Sequence, residues 1–92
     1  MEFEWDEAKA AANIINHGVT FAEASTVFDD GGGSDAYDEL HSDNEERFIR
    51  TGYTQTRRLI AVSYTERGDK IRIISARPLT PRERRKYEED DL

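Results

Sequence analysis

The sequence predicts one α+β domain over residues 1–92: two N-terminal helices, an antiparallel sheet of three to four strands, and a C-terminal helix. Three observations support this prediction. Helix start and stop signals occupy residues 6–28, three segments rich in β-branched and aromatic residues follow between 47 and 77, and a further helix start lies at 80–83. Consecutive hairpins between helices favour helices packed on one face of the sheet.

The first helix is predicted in "DEAKAAANIINHG", residues 6–18. Asp6 can cap its N-terminus, and Gly18 stands where a residue in the left-handed conformation commonly ends a helix. Apolar residues recur at helical spacing, so we expect an amphipathic helix that packs through an alanine-rich face. That face comprises Ala8, Ala11, Ala12 and Ile15.

A second helix is predicted in "VTFAEASTVF", residues 19–28. Thr20 and Glu23 have the spacing of a capping box, in which each residue satisfies a backbone N–H of the other. Three large apolar residues follow at positions that favour burial. We expect Phe21, Val27 and Phe28 to anchor the core.

The segment 29–46 contains three consecutive glycines, which specify a regular strand poorly. We expect a loop there, with at most a weak edge strand near Ala36–Glu39. Three strands are then predicted in "RFIRTGY", "RLIAVSYT" and "KIRIISAR". The link "ERGD" suits a tight hairpin with Gly68 in the turn.

Alternation along "KIRIISAR" assigns side chains to the two faces of the sheet. Ile71 and Ile73 have the character of core residues, so Arg72 is expected on the open face. Strict alternation places Arg77 with the isoleucines, although the strand end can turn its side chain to the rim. After this strand, Thr80 is the expected cap of the last helix.

Composition excludes several classes of function. The chain has no cysteine and two histidines, which excludes a disulfide framework, a thiolate zinc site and a cysteine nucleophile. No metal site and no cofactor are expected. No apolar run is long enough to span a bilayer, and the acidic N-terminus does not resemble a signal peptide. We therefore expect a cytoplasmic protein that does not contact a membrane.

Charge is distributed unevenly along a chain whose net charge is −7. Residues 1–46 contain thirteen acids and one base, whereas residues 47–92 contain seven acids and twelve bases. Eight of the thirteen basic residues lie in 64–89. This asymmetry indicates an interaction surface, which could hold phosphate or dock an acidic partner; a solvated face without function is the third interpretation.

The residue types that remain suit metal-independent RNA cleavage. That reaction needs a base for the 2′-hydroxyl, cations for the charge that develops on phosphorus, and an acid for the leaving oxygen. Arginine suits the second task because its planar fork pairs with phosphate oxygens. Direct DNA binding by the final helix is a weaker hypothesis, since its basic residues alternate with acids.

Each candidate residue also has a structural interpretation. Arg72 could form a cross-strand salt bridge, and Arg77 could bind a carbonyl in the following turn. Glu66 and Arg67 could simply be solvated at the hairpin tip. Tyr87 could be a core anchor of its helix. His17, which precedes Gly18, could interact with the helix dipole.

Three segments together resemble the BrnT toxins of type II toxin–antitoxin modules. They are "FEWDEAKAAANIINHGVTFAEASTVFDD", "HSDNEERFIRTGY" and "YTERGDKIRIISARPLTPRERRKYEE", and the resemblance covers about 85 of 92 residues in order. It implies a RelE-like fold, a ribonuclease that arrests translation, and neutralisation by a BrnA-like ribbon-helix-helix antitoxin. It also implies a complex of two toxins with two antitoxins that contacts DNA through the antitoxin.

The resemblance implies which residues belong to the family's motifs, but it does not assign their roles. Among these residues we expect Arg72 and Arg77 to stabilise the phosphate or the transition state, Glu66 to be the base and Tyr87 to be the acid. The residues expected to contact RNA are Arg67, Arg85, Lys9 and His17. The alternative function is a non-catalytic binding module that docks an acidic partner on the same basic strand and helix.

One segment departs from the family pattern. Where similar chains enter an apolar strand, this chain has Gly31, Gly32, Gly33, Ser34 and Asp35. The departure puts the first expected strand, and one edge of the sheet, in question.

Overall fold

The computed structural model describes residues 1–90, and the last two residues of the expected domain lie outside the described residues. It confirms the α+β class, with helices around a five-stranded sheet of order β1–β5–β4–β3–β2. Short 3-10 helices span Thr26–Asp29 and Glu39–His41. The other elements are β1 (Glu2–Glu4), α1 (Glu7–His17), α2 (Phe21–Ser25), β2 (Ser34–Tyr37), β3 (Phe48–Tyr53), β4 (Leu59–Arg67), β5 (Lys70–Pro78) and α3 (Pro81–Asp90).

Strands β2 to β5 form the expected antiparallel arrangement, and β1 adds a strand that the sequence did not predict. β1 runs parallel to β5, with Phe3 opposite Ile71. It spans three residues, which are too few to show the alternation by which strands are recognised. The sheet is therefore mixed rather than purely antiparallel.

The glycine-rich segment ends in a real edge strand, which begins two residues earlier than the predicted Ala36. All four residues of β2 are exposed, so apolar burial does not hold it. Instead, the Asp35 carboxylate accepts hydrogen bonds from Tyr64 Oη and Arg50 Nη1, each at 2.7 Å. Arg50 Nη2 also donates to the Asp30 carbonyl at 2.7 Å. Polar side chains replace the missing apolar packing.

The core lies between the sheet and the helices α1 and α2. Phe21 and Val27 are buried as predicted, and Phe28 packs against the core from its edge. Gly18 ends α1 with φ 68°, and Asp6 accepts the N–H groups of Ala8 and Lys9, so both predicted ends of this helix are confirmed. The buried apolar cluster comprises Val19, Phe21, Ala24, Val27, Ile60, Val62, Tyr64, Ile71, Ile73 and Ala76.

Helix α1 packs through a different face from the one predicted. The expected face, formed by residues 8, 11, 12 and 15, is exposed to solvent. The opposite face meets β5 through Asn13, which is 5% exposed. Its amide nitrogen donates to the carbonyls of Val19 (2.9 Å) and Ala76 (2.8 Å), and its amide oxygen accepts the Ala76 N–H (3.0 Å). Three hydrogen bonds thus orient the helix.

Strand β5 does not alternate regularly. Tyr64 lies opposite Ile73 and Ser63 lies opposite Ser75, so Ile74 is an extra residue in the ladder. Beyond this bulge the faces exchange, and Ala76 joins the isoleucines in the core. Arg77 consequently lies on the same face as Arg72, contrary to strict alternation.

Helix α3 lies against the sheet face opposite α1 and α2, so the helices do not all share one face as expected. Its N-terminus carries the predicted capping box: Glu83 N donates to Thr80 Oγ1 (3.2 Å), and Thr80 N donates to Glu83 Oε1 (2.9 Å). None of residues 81–90 is buried. Among residues 1–90, no helix has the length and apolarity that a bilayer crossing requires.

Candidate functional site

A cleft of about 290 Å³ separates α3 from the open face of the sheet. Apolar side chains of β3, β4 and the link before α3 contribute to it, and charged or hydroxyl-bearing residues of β5 and α3 surround them. We call it the α3 cleft. Its lining residues are Ile49, Thr51, Ala61, Arg77, Leu79, Glu83, Lys86, Tyr87 and Asp90.

Arg77 is the cation held most firmly in the cleft. Its Nη1 donates to Glu83 Oε1 at 2.7 Å and its Nη2 to Glu83 Oε2 at 2.9 Å, which is the parallel geometry that guanidinium groups prefer. Nη1 also donates to the Pro78 carbonyl at 3.3 Å. The turn carbonyl anticipated from the sequence is therefore a minor partner beside Glu83.

The ion pair between Arg77 and Glu83 shifts the pKa of both side chains. The hydrogen bonds from Arg77, followed by the bond from the Thr80 N–H, lower the pKa of Glu83 to about 2. The hydrogen bond to Glu83 in turn raises the pKa of Arg77. At neutral pH the cleft therefore keeps a guanidinium cation and a carboxylate in contact.

Tyr87 connects α3 to the far edge of the sheet. Its hydroxyl donates to the Gly32 carbonyl at 3.0 Å, and its ring meets the edge of Tyr53 with centroids 6.4 Å apart. These contacts fix the ring at one end of the cleft. The structural and the functional interpretation of Tyr87 are thus compatible, because its phenol both anchors the helix and lines the site.

Lys86 is a functional candidate that sequence reasoning missed. It lines the cleft beside Arg77, and within residues 1–90 no carboxylate lies in ion-pair distance of its amine. A signal was available, since Glu83, Lys86, Tyr87 and Asp90 follow the i, i+3, i+4, i+7 spacing of one helix face. That face is the one α3 presents to the sheet.

The other predicted catalytic residues lie elsewhere. Arg72 pairs with Glu4 of β1 at 2.7 Å, which is the cross-strand salt bridge considered from the sequence. Along β5, Arg72 and Arg77 are separated by about 16 Å at the usual rise per residue. Glu66 lies opposite Ile71 at the hairpin end and is exposed. The structure therefore does not bring Glu66 or Arg72 into the α3 cleft.

The predicted RNA-contacting residues are also dispersed. Arg67 pairs with Glu45 at 3.3 Å near the hairpin tip. Lys9 and His17 are exposed on α1, behind the sheet as seen from the cleft. Arg85 lies on α3 with Arg82 in a neighbouring groove, which adjoins the α3 cleft at Glu83, Lys86 and Asp90 but does not include Arg77 or Tyr87. Only Arg77 and Tyr87 of the eight predicted residues share the cleft.

The cleft can hold an anion beside an apolar surface. Arg77 and Lys86 supply positive charge, Tyr87 supplies a hydroxyl and an aromatic ring, and Ile49 and Leu79 supply apolar contact. Such a combination suits a phosphate attached to a planar base. Within the described part of the chain, no group of three or more His, Cys, Asp or Glu residues is arranged to hold a metal ion.

Comparison with known proteins identifies related chains. Residues 5–83 match the family described as ribonuclease toxin, BrnT, of type II toxin–antitoxin system. The fold is similar to the 1.1 Å crystal structure of the Brucella abortus ribonuclease toxin BrnT, with a TM-score of 0.64 and 26% identity. That similarity covers 87% of this chain and 97% of the Brucella chain. No curated protein sequence matches.

The extent of the family match bears on the site. It includes Arg77 and Glu83, but it ends before Arg85, Lys86 and Tyr87. The part of α3 that completes the cleft thus lies beyond the matched range.

Proposed function

Because the chain belongs to the BrnT family of ribonuclease toxins of type II toxin–antitoxin systems, we propose that it cleaves RNA without a metal ion and thereby arrests translation. The family match over residues 5–83 carries the proposal. The α3 cleft supports it, since an arginine, a lysine and a phenol meet there beside apolar residues. RNA as substrate places this activity in the cytoplasm.

In the proposed reaction, the 2′-hydroxyl of one nucleotide loses its proton to water, and the 2′-oxygen attacks its own 3′-phosphorus. A 2′,3′-cyclic phosphate forms as the bond from phosphorus to the 5′-oxygen of the next nucleotide breaks. Arg77 and Lys86 stabilise the negative charge that accumulates on the phosphate oxygens. Tyr87, once its hydroxyl turns from the Gly32 carbonyl, donates its proton to the departing oxygen and regains one from water. Glu83 is unsuited to be the base, because a carboxylate with a pKa near 2 binds a proton weakly.

Glu66, Arg67 and Arg72 take a different role in this proposal. They lie at the hairpin end of the sheet, so a base at Glu66 would need the scissile phosphate to lie there instead. We propose that Arg72 and Arg67 contact RNA that extends beyond the cleft. Arg85, Lys9 and His17 remain candidates for such distant contacts.

The proposed partner is a BrnA-like ribbon-helix-helix antitoxin in a complex of two toxins and two antitoxins, which binds DNA through the antitoxin. Membership of a type II toxin–antitoxin family supports an antitoxin partner. The mass of the co-purified complex tests the stoichiometry, and promoter DNA retarded only when the antitoxin is present tests the mode of DNA binding.

The nuclease proposal is tested by incubating the purified chain with a structured RNA in EDTA. We expect cleavage by the parent protein and a rate loss of about 100-fold for Arg77→Ala, since removing one preorganised transition-state partner has effects of that order. Arg82→Ala is the matched control, because Arg82 is exposed on α3 outside the α3 cleft. Circular dichroism establishes that each variant is folded.

Unchanged cleavage by folded Arg77→Ala would place the chemistry outside the α3 cleft. Cleavage that requires added Mg²⁺ would overturn metal independence. Intact RNA combined with tight binding of an acidic protein would favour the non-catalytic binding module, although Arg67, Arg72 and Arg77 already pair with carboxylates of their own chain.

A further inference from the structure

Helix α1 exposes the apolar face that its sequence pattern marks for burial. Ala8, Ala11, Ala12 and Ile15 recur at i, i+3, i+4 and i+7, and all four are exposed. Ile15 is 84% exposed and the adjacent Ile14 is 50% exposed. Isolated apolar residues on a surface are ordinary, but two isoleucines beside an alanine stripe on one helix form a continuous apolar surface.

This surface cannot turn inward while the fold is intact. Asn13 lies on the opposite side of α1, and its three hydrogen bonds to Val19 and Ala76 would all be lost if the helix rotated. Each lost bond would leave a buried backbone group unsatisfied. The exposed face is therefore a consequence of how Asn13 holds α1, and only another molecule can cover it.

We propose that this face of α1 docks an amphipathic helix of a partner protein whose apolar stripe is bordered by lysine or arginine. The small side chains of Ala8, Ala11 and Ala12 allow a second helix to approach closely, and packed helices lie about 8–10 Å apart. Ile14 and Ile15 then enter the grooves between the partner's side chains.

The net charge of the chain favours a basic partner helix over a second copy of the chain on this face. Within α1 the charges of Glu7 and Lys9 balance, so the relevant quantity is the net charge of −7 that each copy of the chain carries. Two copies joined at α1 would bring like charges together, whereas a basic partner would be attracted. Glu7, in the first turn of α1, is a carboxylate available to a basic flank.

The apolar face of α1 is separate from the α3 cleft, although Lys9 and His17, two candidates for distant RNA contacts, lie on the same helix. Helix α1 packs on the sheet face opposite the α3 cleft, and none of its residues lines that cleft. A partner on α1 therefore leaves Arg77 and Tyr87 open to RNA. Loss of binding and loss of cleavage are separable outcomes.

The probe is a synthetic, fluorescently labelled helical peptide with leucines at i, i+3, i+4 and i+7 and lysines on both flanks. A second peptide has the same leucines but glutamate flanks, and a third has the composition of the first with the spacing scrambled. Fluorescence anisotropy measures the Kd of each for the full chain and for Ile15→Glu. Leu40→Glu is the matched control, since Leu40 is 85% exposed on another element.

We expect the lysine-flanked peptide to bind and Ile15→Glu to weaken it by about tenfold, while Leu40→Glu changes its Kd less than about twofold. The other two peptides should bind at least about tenfold more weakly than the first. Equal effects of the two substitutions, no preference among the peptides, or no binding at all would overturn the proposal. A parent dimer in sedimentation that Ile15→Glu converts to monomer would assign the face to a second copy instead.

Discussion

Arg77 at the end of β5 and Glu83 in the first turn of α3 are joined by two parallel hydrogen bonds of 2.7 and 2.9 Å. The same carboxylate accepts the Thr80 N–H and so completes the cap of the helix. The Glu83 side chain thus caps the N-terminus of α3 and attaches the helix to the sheet. It also accepts hydrogen bonds from the Arg77 guanidinium, which would otherwise be available to a ligand in the cleft. If RNA binds in the α3 cleft as proposed, its phosphate competes with Glu83 for the same Arg77 donors.

Glu83→Gln should strengthen RNA binding for this reason. The substitution removes a negative charge from the cleft and releases Arg77 from an ion pair in which both side chains are nearly half exposed. Since such pairs contribute at most about 1 kcal/mol, we expect the Kd for a short RNA to fall by about two- to fivefold. Filter binding measures it.

Glu88→Gln is the matched control, because it removes the same charge from an exposed i,i+4 pair with Arg84 on the same helix. An equal gain in both variants would show that net charge alone is responsible. Weaker binding by Glu83→Gln would show that orienting Arg77 matters more than freeing it.

The pH dependence of stability should also report on Glu83. Its pKa falls from 4.5 in the unfolded reference to about 2 in the fold, so the folded state binds this proton more weakly. The stabilisation is therefore complete above about pH 5 and is lost as the pH falls toward 2. Solvent screening keeps it to about 1 kcal/mol or less.

Urea unfolding of the parent and of Glu83→Gln at pH 6 and at pH 3 measures this contribution. The difference in unfolding free energy between the two proteins should shrink at the lower pH. A difference that is constant over this range would mean that Arg77 does not lower the pKa of Glu83 in solution.

Asn13→Ala should be the most destabilising single change on α1. It leaves the Val19 carbonyl and both backbone groups of Ala76 without their side-chain partner in a buried environment. We expect a loss of about 2–4 kcal/mol in the free energy of unfolding. Asn16→Ala on the exposed side of the same helix should change it by less than about 0.5 kcal/mol. Similar losses in both would contradict the orientation of α1.

The edge strand β2 should depend on the bond between Tyr64 and Asp35. Burial and the bond to Asp35 raise the pKa of the Tyr64 hydroxyl, which therefore donates throughout the ordinary pH range. Tyr64→Phe and Asp35→Asn should each cost about 1 kcal/mol, and their double-mutant cycle should show coupling of similar size. Tyr37→Phe, half exposed on the same strand, is the control. Additive effects of the two substitutions would contradict a direct bond.

The N-terminal caps of the helices were the features that the sequence predicted most accurately. Asp6, Thr80 and Glu83 cap their helices as predicted, because capping involves groups two or three residues apart and needs no knowledge of the rest of the fold. At the second helix only half of the capping box forms. Thr20 accepts the Glu23 N–H, but the Glu23 carboxylate turns to Thr54, Thr56 and Arg58.

The partners of the Glu23 carboxylate show which contacts cannot be predicted from neighbouring residues. Burial by itself raises the pKa of this carboxyl, but hydrogen bonds from the Thr56 and Thr54 hydroxyls and the charge of Arg58 lower it overall. These partners lie more than 30 positions along the chain. No local pattern contains them, so a contact of this kind cannot be predicted from spacing alone.

The candidate site was predictable in part for the same reason. Arg77 was found because it ends a strand before a proline, and Tyr87 because it is the aromatic residue of the last helix. Their meeting in one cleft follows from the bulge at Ile74, which turns Arg77 to the open face, and from the path of α3. Glu66 and Arg72 lie outside the cleft because they are at the other end of β4 and β5. Alternation predicts a face only while the ladder has no extra residue.

By itself, the sequence determined the α+β class, the start of each helix, the end of α1 at Gly18, the hairpin at Gly68 and the resemblance that places the chain in its family. These depend on backbone preferences and on residues close along the chain. The sequence did not determine the end of the second helix, which was expected to run to residue 28 but gives way to a 3-10 helix after Ser25. Only the tertiary structure decided three other features. Asn13 orients α1 and leaves its isoleucines exposed, and Asp35 holds β2 at the edge of the sheet. Lys86 of α3 lies with Arg77 in the α3 cleft. Each of these depends on hydrogen bonds or packing between distant residues, whose free energy is realised only once the sheet has brought them together.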